Sequence, residues 1–155
     1  RVHLGNAELC CVFPDKNYGR EDKNGRSLVV VAREGTFSAL LTGDISTEEE
    51  RYLLENQGIK EVLRQTDFYK AAHHGSKYAS SAEWMELLSP TAAGISCGKK
   101  NRYGHPAEET VSRIEKTGAE LFDTRFDGQI KVLPRGRRMY VRLVRTGEER
   151  IFNIS

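Results

Sequence analysis

The chain has 155 residues, 30% of them charged and 38% hydrophobic, and its formal net charge is +2. That length supports one domain with its own core, and the charge balance is that of an ordinary globular surface, with no bulk electrostatic case for nucleic acid. The longest apolar runs, Ser27 to Ala32 and Phe37 to Leu41, fall far short of the roughly 20 residues a membrane-spanning helix needs. Cys10, Cys11 and Cys97 lack metal-ribbon spacing and read as thiols in core packing, which identifies no compartment. Arg1 opens the chain without a methionine or a signal-peptide pattern, so the start reads as a boundary within something longer.

Val2 to Val12 alternates weakly and reads as a strand before Pro14, and the polar, Gly-containing Asp15 to Arg26 reads as a long loop. Ser27 to Ala32 and Phe37 to Thr42 are apolar runs joined at Glu34-Gly35, a hairpin of central strands. Ser46 or Thr47 followed by Glu48, Glu49 and Glu50 starts a helix, which should run to about Gln57 and stop at Gly58. Asp67 to Ala72 is a short strand leading into His73-His74-Gly75-Ser76, after which Ser80 or Ser81 caps a helix through Leu88. Ala92 to Ser96 is a strand, and Pro106 opens a helix whose inner face holds Val111 and Ile114. Leu121 to Asp123, Gln129 to Leu133, Met139 to Val144 and Arg150 to Ile154 then read as strands, the middle two separated by a turn at Pro134-Arg135-Gly136. The ordering is that of an α/β protein with sheet layers covered by helices.

Three segments place polar residues at the ends of apolar strands, where an α/β sheet gathers its functional groups. Leu41-Thr42-Gly43 delivers the carboxylate of Asp44, which can bridge two cations or simply cap a turn. His73 and His74 leave a strand end in different directions, so one imidazole can ligate a metal while the other hydrogen-bonds or meets substrate. Ser76 lacks the Gly-x-Ser-x-Gly setting of a hydrolase nucleophile and reads as a cap or a phosphate contact. Ser96 to Pro106 is a donor-rich loop ending at a helix N-terminus, where Lys99, Lys100 and Arg102 add positive charge beside Asn101 and His105. That combination suits phosphate, and equally a solvated loop.

In order and spacing, Asn24 with Ser27-Leu-Val-Val, Leu41-Thr-Gly-Asp44, His73-His-Gly-Ser76, Asn101-Arg-Tyr-Gly-His105-Pro106 and Asp127-Gly128 resemble the second half of the metallo-β-lactamase-type domain of ComEC-type DNA-uptake competence proteins. The resemblance runs from about Asn24 to Leu133. It implies that residues 1–155 are one domain, the C-terminal part of an αββα sandwich whose paired sheets carry a two-metal site at one edge. It further implies hydrolysis of phosphodiesters in nucleic acid, with two divalent ions, manganese or zinc. On this pattern Asp44 matches the bridging carboxylate and the His73-His74 pair the later histidine ligand, with His74 preferred. His105 joins Asp44 and His74 in the catalytic set, while Ser76, Lys99, Lys100, Asn101, Arg102 and His105 meet substrate phosphate.

Family members carry a His-x-Asp-x-Asp-His or His-x-His-x-Asp-His cluster in their first half, whereas this chain has only His3, His73, His74 and His105. The fragment alone is therefore expected to be inactive and to hold metal weakly. Thr124-Arg125-Phe126-Asp127-Gly128 also lacks the family's Thr-Asp before its glycine. The implied setting is bacterial: a soluble extracytoplasmic appendage of a polytopic membrane channel, or a secreted protein. The implied partners are single-stranded DNA, the missing N-terminal half of the domain and, across an apolar sheet face left open, a second copy of the chain. A stand-alone hydrolase of a small phosphoester or lactone, and a non-catalytic nucleic-acid or partner-binding module, are the competing readings.

Overall fold

A computed structural model of the chain describes residues 1–16, 18–19 and 24–154, with the side chain of Asn24 outside that description. Within the loop expected over Asp15 to Arg26, residues 17 and 20–23 lie outside the described residues. The expected first strand is two, β1 (Val2–Leu4) and β2 (Ala7–Phe13), because Gly5 takes φ +60° and turns the chain back with Asn6. β3 (Val29–Glu34) and β4 (Phe37–Leu41) form the expected hairpin across Gly35. β5 (Phe68–Lys70), β6 (Ala92–Ile95) and β7 (Glu120–Asp123) complete a seven-stranded sheet in the order β1-β2-β3-β4-β5-β6-β7, antiparallel as far as β4 and parallel beyond it.

Side-chain alternation gives this sheet two occupied faces. Val29, Val31, Leu40, Tyr69, Ala93 and Ile95 point to one side, where they bury with Leu53, Leu63, Trp84, Met85, Leu88 and Ile114. Those partners lie on α1 (Thr47–Leu54), α2 (Gln57–Leu63), α3 (Ala82–Leu88) and α4 (Glu108–Glu115). Phe37, Ala39, Phe68, Ala92 and Phe122 point to the other side and pack on Met139, Val141 and Leu143. The latter belong to a three-stranded antiparallel sheet, order β10-β9-β8, made of β8 (Ile130–Arg135), β9 (Arg138–Leu143) and β10 (Glu149–Asn153). The architecture is thus mixed α/β: helices, a mixed sheet and a small second sheet.

Five local readings need correction. The helix from Thr47 ends at Leu54, and Gly58 stops nothing: Asn56 accepts a hydrogen bond from the Ile59 N–H and starts α2, with Gly58 in its first turn. Pro106 precedes the N-cap Ala107 instead of opening the helix. Pro134 and Arg135 continue β8, a sheet edge where a missing N–H is tolerated, and the turn falls at Gly136 (φ +59°) and Arg137. A four-residue helix, α5 (Thr124–Asp127), was not expected; the Asp123 carboxylate caps it from the Arg125 N–H. Cys10 and Cys97 are half-buried free thiols, but Cys11 is exposed and so does not pack in the core.

Ser46 caps α1 in a reciprocal capping box with Glu49, and Glu50 is fully buried, its carboxylate accepting from the Ser80 N–H at 2.5 Å and the Ser81 N–H at 2.9 Å. Burial pushes Glu50 up to about 7, against the pull of those donors and of Arg113. The folded state therefore holds this proton more tightly than the unfolded chain. Its contribution to stability is full below about 4.5, is lost as pH rises through 7, and amounts to roughly 3 kcal/mol at most. The urea midpoint is expected to fall between pH 5 and pH 8.5, and Glu50→Gln to flatten that dependence; an equally steep profile in the variant would remove Glu50 from the account.

Candidate functional site

The sheet gathers the candidate residues at the C-terminal ends of β4, β5 and β6. After Leu41, Thr42 is fully buried and donates from Oγ1 to the Lys70 carbonyl at 2.9 Å, tying the ends of β4 and β5 together. Gly43 turns at φ +53° against Ser27, whose Cβ lies 3.0 Å from where a Gly43 Cβ would stand. Asp44 is presented beyond it, its N–H bonded to Ser27 Oγ at 3.1 Å.

β5 runs into a tight turn over Ala72–Gly75 in which His73 (φ 46°, ψ 44°) and His74 (φ 56°, ψ 24°) are both left-handed. Two consecutive non-glycine residues in that region cost on the order of 1 kcal/mol or more each, so the surroundings must hold them. They do so through the His73 N–H to the Gly43 carbonyl (3.0 Å), the Ala107 N–H to the Gly75 carbonyl (2.9 Å) and Thr110 Oγ1 to the Ser76 carbonyl (2.8 Å). The turn aims the His74 ring with Nδ1 on the Ser96 carbonyl at 2.6 Å and Nε2 toward Asp44 Oδ1 at 3.6 Å. A backbone carbonyl fixing Nδ1 leaves Nε2 as the free nitrogen, the arrangement of a ligating histidine. Side chains 47% and 42% exposed leave both His74 and Asp44 open to an incoming group.

The loop after β6 closes the site from the other side. Asn101 spends its amide on the loop itself, Nδ2 donating to the Gly98 and His105 carbonyls at 2.8 and 2.7 Å and Oδ1 accepting from the His105 N–H at 2.9 Å. Asn101 is a brace, and the residue it places is His105, whose ring lies 5.8 Å from that of His73. Burial, reinforced by His73 and His74, holds the His105 imidazole below its ordinary pKa. Tyr103 stacks on His105 at 5.9 Å, with the Arg102 guanidinium 5.2 Å from the Tyr103 ring centroid, while Lys99 and Lys100 stand exposed on the turn. Ser76 is 3% exposed, its Oγ accepting from the Tyr78 N–H, so it serves the backbone of the turn.

Asp44, His73, His74 and His105 are therefore brought together, with Arg102 and the two exposed lysines on the loop that carries His105. Among the described residues, no group of three His, Cys, Asp or Glu side chains converges closely enough to hold an ion. The donor set present, one carboxylate and one oriented imidazole 3.6 Å apart, fits part of a metal site. Sequence reasoning passed over Lys70 and Tyr103. Lys70 is shifted downward by burial against the raising influence of Asp44, and it lines a cavity of about 280 Å³ with Phe68, Gly94, Thr124 and Ile130. Its signal was a lone lysine at the end of an apolar strand, three residues before His73.

These features define a mixed α/β protein with a carboxylate and an oriented imidazole paired at the strand ends of its sheet. By sequence the chain is related to a stretch of ComEC-type competence proteins. It is 34% identical over 114 residues, 70% of its length, to ComE operon protein 3 of Bacillus subtilis (strain 168). It is 33% identical over 113 residues to competence protein ComA of Neisseria gonorrhoeae, and 29% identical over 109 residues to recombination protein 2 of Haemophilus influenzae, again over 71% and 70% of the chain. The matches cover 14%, 16% and 13% of those relatives, so the chain spans about one seventh of their length. No family model matches the chain. Its relatives are bacterial, and among the described residues no helix is long and apolar enough to cross a membrane.

Proposed function

We propose that this chain is the C-terminal part of a metallo-β-lactamase-type hydrolase domain in a ComEC-type competence protein, acting outside the cytoplasm on phosphodiesters of incoming DNA. The observation that carries the reading is the His74 ring, held through Nδ1 by the Ser96 carbonyl with Nε2 facing Asp44, on a chain related to competence proteins. Asp44 and His74 would supply two ligands to a divalent site, the remainder coming from the half of the domain that precedes this one. When bound, manganese or zinc supplies a water activated near neutral pH and a Lewis acid for phosphoryl oxygen. The chain's own part is to position. Asn101 sets His105, an imidazole able to hydrogen-bond the substrate, and Lys99, Lys100 and Arg102 bring positive charge to the phosphates.

A second observation supports the missing half. The small sheet covers the β4–β7 end of the large one, whereas Leu9, Cys11, Val30 and Leu41, adjacent on the same face by register, keep partial exposure. An αββα sandwich would cover that area from the other half of the domain. The isolated chain is expected to bind manganese or zinc weakly and to leave single-stranded DNA intact, and co-expression with the upstream segment of its parent to restore both stoichiometric metal and cleavage. Robust metal-dependent cleavage by the chain alone, lost in Asp44→Ala, would overturn the reading of the site as incomplete; no gain on complementation would overturn the hydrolase assignment.

A further inference from the structure

The net charge of +2 conceals a segregation: residues 130–145 carry Lys131, Arg135, Arg137, Arg138, Arg142 and Arg145 and not one acid, which leaves the rest of the chain at −4. Register decides where these charges go. On the outer face of the small sheet, Lys131 pairs with Arg142 and Arg142 with Glu149 in one row; Leu133, Tyr140 and Ile151 align in the next; Arg135, Arg138 and Asn153 form the third. The inner face is spent on the core, with Met139, Val141 and Leu143 buried, so the alternation forces every one of these residues outward. The result is an apolar row between two cationic rows, each step about 7 Å along the strands. Lys131, Arg135, Arg138 and Arg142 are all exposed, and none forms an ion pair among the described residues. Half-buried Tyr140 has the Arg135 guanidinium 5.4 Å from its ring centroid.

We propose that the outer face of β8–β10 binds single-stranded nucleic acid, the cationic rows taking phosphates and the Leu133-Tyr140-Ile151 row taking bases. Charge complementarity selects a polyanion, and the alternation of charged and apolar rows selects one with flat apolar groups between its charges. Stacking on Tyr140 requires an unpaired base. A lipid surface fits less well, because the longest side chains here are the charged ones and the apolar row lies below them, with its ring already half-buried. The face is separate from the Asp44–His74 site. It rests on the DNA-directed reading above, to which it adds a place where a strand is held away from the chemistry.

The test uses the full chain with a labelled oligodeoxythymidine, followed by anisotropy across a salt series. The wild type is expected to bind. The triple variant Arg135→Gln, Arg138→Gln, Arg142→Gln should flatten the slope of log affinity against log salt by about 2, at roughly 0.7 per phosphate contact. Tyr140→Leu should weaken binding about tenfold with the slope unchanged, a split that loss of folding would not produce. Lys116→Gln, which removes an exposed cation at the end of α4 on the helix-covered side of the large sheet, should bind as the wild type does, which separates this face from charge elsewhere on the surface. Absence of wild-type binding, an unchanged slope in the triple variant, or a loss seen only with phosphatidylglycerol vesicles would each overturn the proposal. If Lys100→Gln with Arg102→Gln abolished binding while the triple variant kept it, the strand would belong to the hydrolase site, and the proposal would fail while the proposed function stood.

Discussion

In the complete parent domain, Asp44→Ala and His74→Asn are expected to lower turnover by on the order of 10² or more and to empty or displace an ion, whereas Lys100→Ala leaves metal content intact. Asparagine is the better replacement at position 74, because the backbone there is left-handed (φ 56°) and asparagine tolerates that region where alanine does not. Lys100 stands exposed on the loop after β6, so its loss should weaken DNA binding and reduce its salt dependence by about one counterion. His73 provides the control within the motif. Its ring meets those of His74 and His105 edge-on, and among the described residues no carboxylate faces it as Asp44 faces His74. His73→Asn should therefore keep more metal than His74→Asn. Metal analysis and nuclease rate on the four variants decide the matter: two ions and full rate in His74→Asn, with both lost in His73→Asn, would shift the ligand by one residue.

Gly75→Ala should destabilise the fold by about 3 kcal/mol and release the histidine turn. The residue sits at φ +81°, and a Cβ there would lie 2.6 Å from Pro106 Cβ and 3.1 Å from Pro106 Cα. A left-handed alanine costs roughly 1–2 kcal/mol, and forcing Pro106 aside adds a cost of overpacking of similar size. Gly104→Ala isolates the first contribution, since Gly104 has φ +69° and open space around its missing Cβ. Urea unfolding of both variants should give a clearly larger loss for Gly75→Ala; equal losses would mean that the contact with Pro106 yields freely. The functional consequence follows from the Ala107 N–H, which bonds the Gly75 carbonyl: moving Pro106 detaches the start of α4 from the turn that aims His74.

Much of this arrangement could be read from the residues. Apolar runs at β3 and β4, the serine cap of α3 and the motif His73-His74-Gly75-Ser76 are local signals, and local physics decides them. Gly58 misled because glycine stops a helix only where nothing restarts it, and the Asn56 side chain does. Pro134 misled because its cost depends on whether a strand is central or at an edge, a property of the assembled sheet. At the candidate site, the family pattern points to Asp44, the histidines and Asn101; the fold brings the first of these together, while the Asn101 amide makes three hydrogen bonds within its own loop, a geometry that no local signal in the sequence carries. The basic rows of the small sheet escaped a reading based on net charge, since charges scattered at even spacing along a sequence become neighbours only when the strands pair.

The seven strands of the large sheet stand side by side in the order in which they occur along the chain. No strand waits for a distant partner, so as the polypeptide leaves the ribosome each new strand finds its edge already formed, and the entropy lost in closing each loop stays small. The hairpins β1–β4 can assemble first, each helical crossover then adding one parallel strand, with β8–β10 arriving last to seal the second face. Such an order lets the sheet grow strand by strand as the chain is made, each addition extending an edge that is already folded.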